Sequence, residues 1–126
     1  MNLLLDTNAL LWLLAGDERL GPTSRRTVQE ADRLVVSVAS LWEVAIKVSL
    51  RKLEPVPRLH AAVQELGFER LDIRDPHLRA LEDLPLRHRD PFDRLLLCQA
   101  RVEGCTILTS DAIFGEYGAA VVDARR

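Results

Sequence analysis

Short apolar runs alternate with amphipathic stretches along the whole of this chain. Leu3-Leu4-Leu5 near one end and Thr106-Ile107-Leu108-Thr109 near the other carry the pattern of strands buried on both faces. A β-branched run predicts a strand over 34–37, alternation predicts another over 68–73, and a last short one is expected over 120–122. Between them the period lengthens. Residues 7–15 read as a helix capped by Thr7 and broken at Gly16-Asp17, and Pro22-Thr23-Ser24 opens a second helix to about residue 31. Leu41, Val44, Ala45 and Val48 recur at helical spacing and predict an amphipathic helix over about 38–53. Pro55 and Pro57 interrupt, and helices follow over 58–66, 75–84 and 91–102, with a short one over 111–117. Strands alternating with helices predict an α/β fold. Its parallel sheet of about four to five strands is flanked by helices on both faces and joined by right-handed crossovers. No repeat, low-complexity tract or long linker divides the sequence, which reads as one domain over 1–126.

A chain of 126 residues is long enough for one real core, with 48% hydrophobic and 29% charged residues as in ordinary globular domains. Its apolar runs fall far short of the ~20 residues of a membrane helix, and no basic leader precedes the first strand. The expectation is a cytoplasmic protein with no membrane partner. Cys98 and Cys105 lack metal-type spacing and read as small buried hydrophobes. Formal net charge is −2, so no global positive field advertises a polyanionic partner. Local cations occur at Arg25-Arg26, Arg51-Lys52 and Arg87-His88-Arg89, where solvated charge and phosphate contact are both open readings.

The acids change the picture. Asp6 ends the first strand and Asp111 follows the strand over 105–109; the carboxyl ends of parallel strands are where such sheets bind ligands. Asp6 also suits a helix cap, although Thr7 serves that role equally well and Asn8 adds a third polar group. Glu43 in Ser40-Leu41-Trp42-Glu43 fits a capping box; if the helix begins near Val38, it instead lies more than a turn inside, beside apolar neighbours, and needs a partner. Asp90 before Pro91 suits an N-cap and Asp93 the third helical position, one turn on and on the same face. Of the two, Asp93 is the expected metal-facing group and Asp90 the cap with a supporting role. Asp111 could cap a short helix, a task Thr109 or Ser110 can take over, leaving it free for the crevice. Clustered carboxylates raise one another's pKa unless a cation intervenes. An oxygen-only donor set without Cys or His suits Mg²⁺ or Mn²⁺ rather than Zn²⁺ and the metal-assisted displacement of a phosphodiester.

Four ordered segments carry a family resemblance: Leu4-Leu5-Asp6-Thr7-Asn8-Ala9-Leu10-Leu11, Ser40-Leu41-Trp42-Glu43-Val44-Ala45-Ile46-Lys47, Arg89-Asp90-Pro91-Phe92-Asp93-Arg94-Leu95-Leu96 and Leu108-Thr109-Ser110-Asp111. Together they resemble PIN-domain proteins, in particular the VapC toxins of bacterial type II toxin–antitoxin pairs. The resemblance implies a metal-binding and catalytic quartet at Asp6, Glu43, Asp93 and Asp111, with Asn8, Asp90, Thr109 and Ser110 in support. Asn8 departs from close relatives, which often carry His at that position. It implies an Mg²⁺- or Mn²⁺-dependent endoribonuclease that cleaves RNA and blocks translation, with Arg25, Arg26, Arg87 and Arg89 as candidate RNA contacts. The implied partners are a cognate VapB-type antitoxin covering the acidic groove and a second copy in a homodimer, or a hetero-oligomer with the antitoxin. The apolar helix around Leu10-Leu11-Trp12-Leu13-Leu14 and the face around Trp42 are either contacts for it or core.

Rival readings separate on single residues. A phospho-receiver domain needs an acidic pair after its first strand and a late lysine, and no lysine follows Lys52. A haloacid-dehalogenase-type phosphatase needs a second acid where Asn8 stands. A non-catalytic RNA- or protein-binding module on the same fold remains the main rival, since a fold does not by itself specify turnover.

Overall fold

Leu3 and Leu5 bury toward one face of the sheet and Leu4 toward the other, which is why the first strand is apolar without alternation. The computed structural model describes residues 1–126. Strands β1 (Asn2–Leu5), β2 (Arg33–Ser37), β3 (Glu69–Leu71), β4 (Thr106–Thr109) and β5 (Val121–Asp123) form one parallel sheet in the order β3-β2-β1-β4-β5. Helices α1 (Thr7–Ala15), α2 (Pro22–Glu30), α3 (Val38–Ser49), α4 (Leu59–Glu65), α5 (Asp75–Glu82), α6 (Pro91–Glu103) and α7 (Ile113–Glu116) connect them. One core joins Leu3, Leu5 and Val36 to Leu10 and Trp12 of α1, Leu41 of α3 and Val63 of α4. The opposite core joins Leu4, Val35 and Ile107 to Leu96, Leu97 and Cys98 of α6 and to Phe114 of α7. Both cysteines are free and buried, Cys98 within that second core.

The topology fixes where a site can form. From central β1 the chain winds out to β2 and β3, and β4 then starts the other half of the sheet. Such a reversal of strand order opens a crevice beyond the carboxyl ends of the two strands that flank it, here β1 and β4. Their neighbouring ends are tied where the Asp6 N–H donates to the Leu108 carbonyl at 3.1 Å.

Several local expectations shift. Asp6, not Thr7, caps α1: its Oδ1 accepts the Ala9 N–H at 2.8 Å, and Thr7 is the first helical residue. Helix α3 stops at Ser49, short of the expected 53, because Arg51 adopts a positive φ of 57° that no helix tolerates. Strand β3 keeps only three residues of the expected six, as suits a sheet edge. The apolar stretch of α1 is largely core, with Leu10 and Trp12 buried. No helix is long and apolar enough to cross a membrane.

Candidate functional site

Asp6 is carried past the end of β1 into the cap of α1, which buries its carboxylate at the strand terminus. Its Oδ2 accepts the Thr109 hydroxyl at 2.5 Å and its Oδ1 the Ala9 N–H. Burial pushes the carboxyl above its usual range, the two hydrogen bonds oppose that, and the negative charges of Asp111 and Glu43 add to the rise. Capping and a role in the crevice are therefore compatible, one oxygen serving each direction.

Glu43 sits inside α3, whose N-cap is Ser37 bonded to the Ala39 N–H at 3.0 Å. A capping box at Ser40 is thereby excluded. The side chain instead accepts the Thr7 hydroxyl at 2.6 Å and pairs with Lys47, one turn on, at 2.9 Å. The partner that an acid on this inner face requires is thus supplied by α1 and by its own helix.

Asp90 caps α6 through Oδ1, which accepts the N–H groups of Phe92 at 2.9 Å and Asp93 at 3.2 Å. Asp93 turns inward from the first turn. Burial pushes its carboxyl up to about 6; contact with His88 opposes the shift, and Asp90 and Asp111 reinforce it. Asp111 is exposed, and its Oδ1 accepts the Ile113 N–H at 3.0 Å in the turn that leads into α7; the N-cap of that helix is Ala112, and none of Asp111, Thr109 and Ser110 caps it. Its charge nonetheless acts on both Asp6 and Asp93. Four acids from four elements thus share one electrostatic neighbourhood beyond β1 and β4.

A histidine that the sequence reading left out of the site lies beside these acids. His88 Nε2 lies 2.9 Å from Asp93 Oδ2, and donor atoms of His88, Asp90 and Asp93 all fall within 4.8 Å of one another, close enough to hold a cation. Asp6, Glu43 and Asp111 do not close into so tight a set, since each carboxylate is drawn toward its own hydroxyl, ammonium or backbone donor. The signal for His88 was its position five residues before Asp93; the sequence alone presented it as part of a basic cluster. Arg94 positions it. The guanidinium reaches the carbonyls of Leu84 at 3.2 Å, Pro85 at 3.0 Å and His88 at 3.4 Å, and so braces the loop over 84–90.

The remaining candidates divide. Thr109 is buried between Asp6 and Asp111, while Ser110 is half-buried beside it and Asn8 is exposed. Ser110 and Asp111 line a cavity of about 620 Å³ with Thr23, Asp123, Arg125 and Arg126. Arg25 spends its guanidinium on the carbonyls of Leu20 at 3.1 Å and Asp17 at 2.6 Å, and Arg26 beside it is exposed. Arg87 bonds the Glu116 carbonyl at 3.0 Å, whereas Arg89 is exposed and makes no ion pair.

The family model described as PIN domain matches residues 3–120. No curated protein matches the sequence. Among solved structures, the chain is similar to VapBC2 from Rickettsia felis bound to a DNA fragment from their promoter, with TM-score 0.74, 16% identity and 98% of each chain covered. It is similar to FitAcB from Neisseria gonorrhoeae, with TM-score 0.74, 18% identity and 97% of each chain covered. It is also similar to VapBC-1 from nontypeable Haemophilus influenzae, with TM-score 0.73, 16% identity and 100% of each chain covered. At such identities the likeness is one of fold.

Proposed function

This chain belongs to the PIN-domain family, and from that premise we propose that it is a divalent-cation-dependent endoribonuclease, the toxin of a type II toxin–antitoxin pair. The observation that carries the reading is the gathering of Asp6, Glu43, Asp93 and Asp111 where β1 and β4 end, with Asp6 and Asp93 both pushed upward and Asp111 acting on each. Acids pushed toward the neutral form by burial, and less strongly by one another's charge, are what a cation relieves. Their oxygens fit Mg²⁺ or Mn²⁺, and the imidazole of His88 is a donor that Mn²⁺ accepts.

Asp6, Glu43, Asp93 and Asp111 would hold the ion, with His88 and Asp90 at its edge. Bound there, a divalent cation supplies an activated water and neutralises the charge that builds on a phosphodiester during in-line displacement. The chain's own part is orientation. Thr109 and Ala9 fix the two oxygens of Asp6, Thr7 and Lys47 fix Glu43, and Asp90 sets the first turn that aims Asp93. Thr109 and Ser110 stand in support, and Arg89 is the cation best placed for an RNA phosphate. Arg87 takes that role only by leaving the Glu116 carbonyl, and Arg25 only by leaving those of Leu20 and Asp17, while Arg26 is exposed.

The VapBC and FitAB structures similar to this chain are assemblies with a second protein, which supports a VapB-type antitoxin as partner. A homodimer, or a hetero-oligomer with that antitoxin, is the proposed resting form. The test is induced expression in bacteria. Translation and growth are expected to stop with the native chain and to continue with Asp6→Asn at equal protein level; continued growth with the native chain, folded and free of partner, contradicts the toxin reading.

A further inference from the structure

Two aromatic rings meet between the helices that carry Glu43 and Asp93, and the functional reading above leaves them unused. Trp42 of α3 and Phe92 of α6 pack edge to face, with centroids 5.3 Å apart and planes inclined at 66°. Each immediately precedes an acid of the site, Glu43 or Asp93, so the pair bridges the two helices beside the carboxylates. Trp42 is nevertheless 58% exposed. A tryptophan needed only for packing is mostly buried, as Trp12 is at 7%.

We infer that Trp42, backed by Phe92, is a stacking platform for an unpaired nucleobase of the RNA strand whose phosphate enters the acidic site. The inference rests on the ribonuclease reading and adds to it a residue that holds one unpaired base of the strand. Bases splayed from a single strand stack on aromatic side chains, whereas bases in an A-form helix are already stacked and out of reach. Phe92 holds the indole from the α6 side, so the ring is presented rather than free to rotate away. The exposed Arg89, without an ion pair, follows the same loop toward Phe92 and supplies the positive charge that a strand's backbone requires. An aromatic face to hold a base and a cation for the phosphates thus stand in the same two segments as Glu43 and Asp93. Trp42 is a positioning residue: it orders the strand and takes no part in the displacement.

The test uses the whole chain with Asp6→Asn, to block cleavage, and a labelled short single-stranded RNA of mixed sequence in Mn²⁺. Binding is expected to quench tryptophan emission, and the quench is expected to vanish in Asp6→Asn with Trp42→Phe, which retains Trp12. Trp42→Ala is expected to weaken binding roughly tenfold or more, and Trp42→Phe to restore most of it. One or two abasic positions in the RNA are expected to reproduce the alanine loss and to add nothing to it. Duplex RNA of the same sequence is expected to bind equally to both proteins. In the cleaving background Trp42→Ala is expected to raise KM with kcat retained.

Unchanged affinity of Trp42→Ala, or a loss indifferent to abasic substitution, overturns the platform. So does a smaller sedimenting species for Trp42→Ala with RNA affinity unchanged, which assigns the rings to a protein contact. Cleavage by the native chain with normal KM in Trp42→Ala removes the platform alone. Absence of cleavage and of RNA binding in every version removes the ribonuclease reading with it.

Discussion

The Thr109 hydroxyl donates to Oδ2 of Asp6 at 2.5 Å, across 103 positions of sequence, and its oxygen accepts the N–H of Asp111 at 2.9 Å. One buried side chain therefore spaces the acids of the two strands that flank the crevice. Thr109→Val keeps the shape and removes both bonds. Without the hydrogen bond that lowers it, the Asp6 carboxyl rises further. Mn²⁺ affinity is expected to fall about 10- to 100-fold, as for other groups that orient metal ligands, with the fold retained. Calorimetric Mn²⁺ titration reads this directly, and Thr109→Ser is expected to restore binding.

Asp93 gives the site a definite pH dependence. Its carboxyl is held up to about 6 when folded, against an ordinary value of 3.8. Between those values the folded chain binds the extra proton, so its stability falls as pH rises through the window and stays reduced above it. In chelator, Asp93→Asn, fixed in the uncharged form, is expected to melt higher than the native protein at about pH 7.5. That advantage shrinks as pH falls from about 6 to about 4 and is gone below it. The same proton competes with a cation, so Mn²⁺ affinity is expected to drop on acidification through about 6. Melting curves at several pH values that stay parallel for the two proteins would contradict the assignment.

Arg94 braces the loop that carries His88 through three carbonyls. Arg94→Met keeps the aliphatic stem and removes those bonds. Amide hydrogen exchange is expected to quicken over 84–90 while α6 stays protected, and cleavage is expected to slow. Exchange unchanged in that loop would show that the brace contributes nothing.

Gly21 is buried against the backbone of Arg125 and Arg126, where its N–H donates to the Ala124 carbonyl at 2.9 Å and an added Cβ has no room. Gly21→Ala is expected to cost about 1–3 kcal/mol through overpacking. Urea denaturation measures it; a midpoint equal to the native one would mean that the terminal segment shifts freely.

The strands were legible because burial on both faces leaves no polar position in Leu3-Leu4-Leu5 or Ile107-Leu108 to blur the pattern, and parallel order follows from their alternation with helices. Element ends were less so. Helix α3 ends on the left-handed backbone of Arg51, a residue whose side chain announces nothing about φ. The acids were legible as strand-end and helix-cap residues, but which hydroxyl serves which acid was not. Thr7 looked like a cap, and only packing α3 against α1 shows its proton going to Glu43. His88 was obscured for the same reason: its contact with Asp93 depends on a loop shaped by Arg94, and sequence spacing does not report that brace.

The most direct test of the central claim is cleavage of a mixed tRNA and mRNA pool by the purified, partner-free chain and by Asp6→Asn, each with Mn²⁺, with Mg²⁺ and with chelator. The Asn side chain can still accept the Ala9 N–H, so both proteins are expected to fold alike. Discrete fragments are expected from the native chain with metal alone, and a rate lower by about two orders of magnitude or more from Asp6→Asn. Equal cleavage by the two proteins, cleavage that survives chelator, or intact RNA in every lane from folded native protein would contradict it.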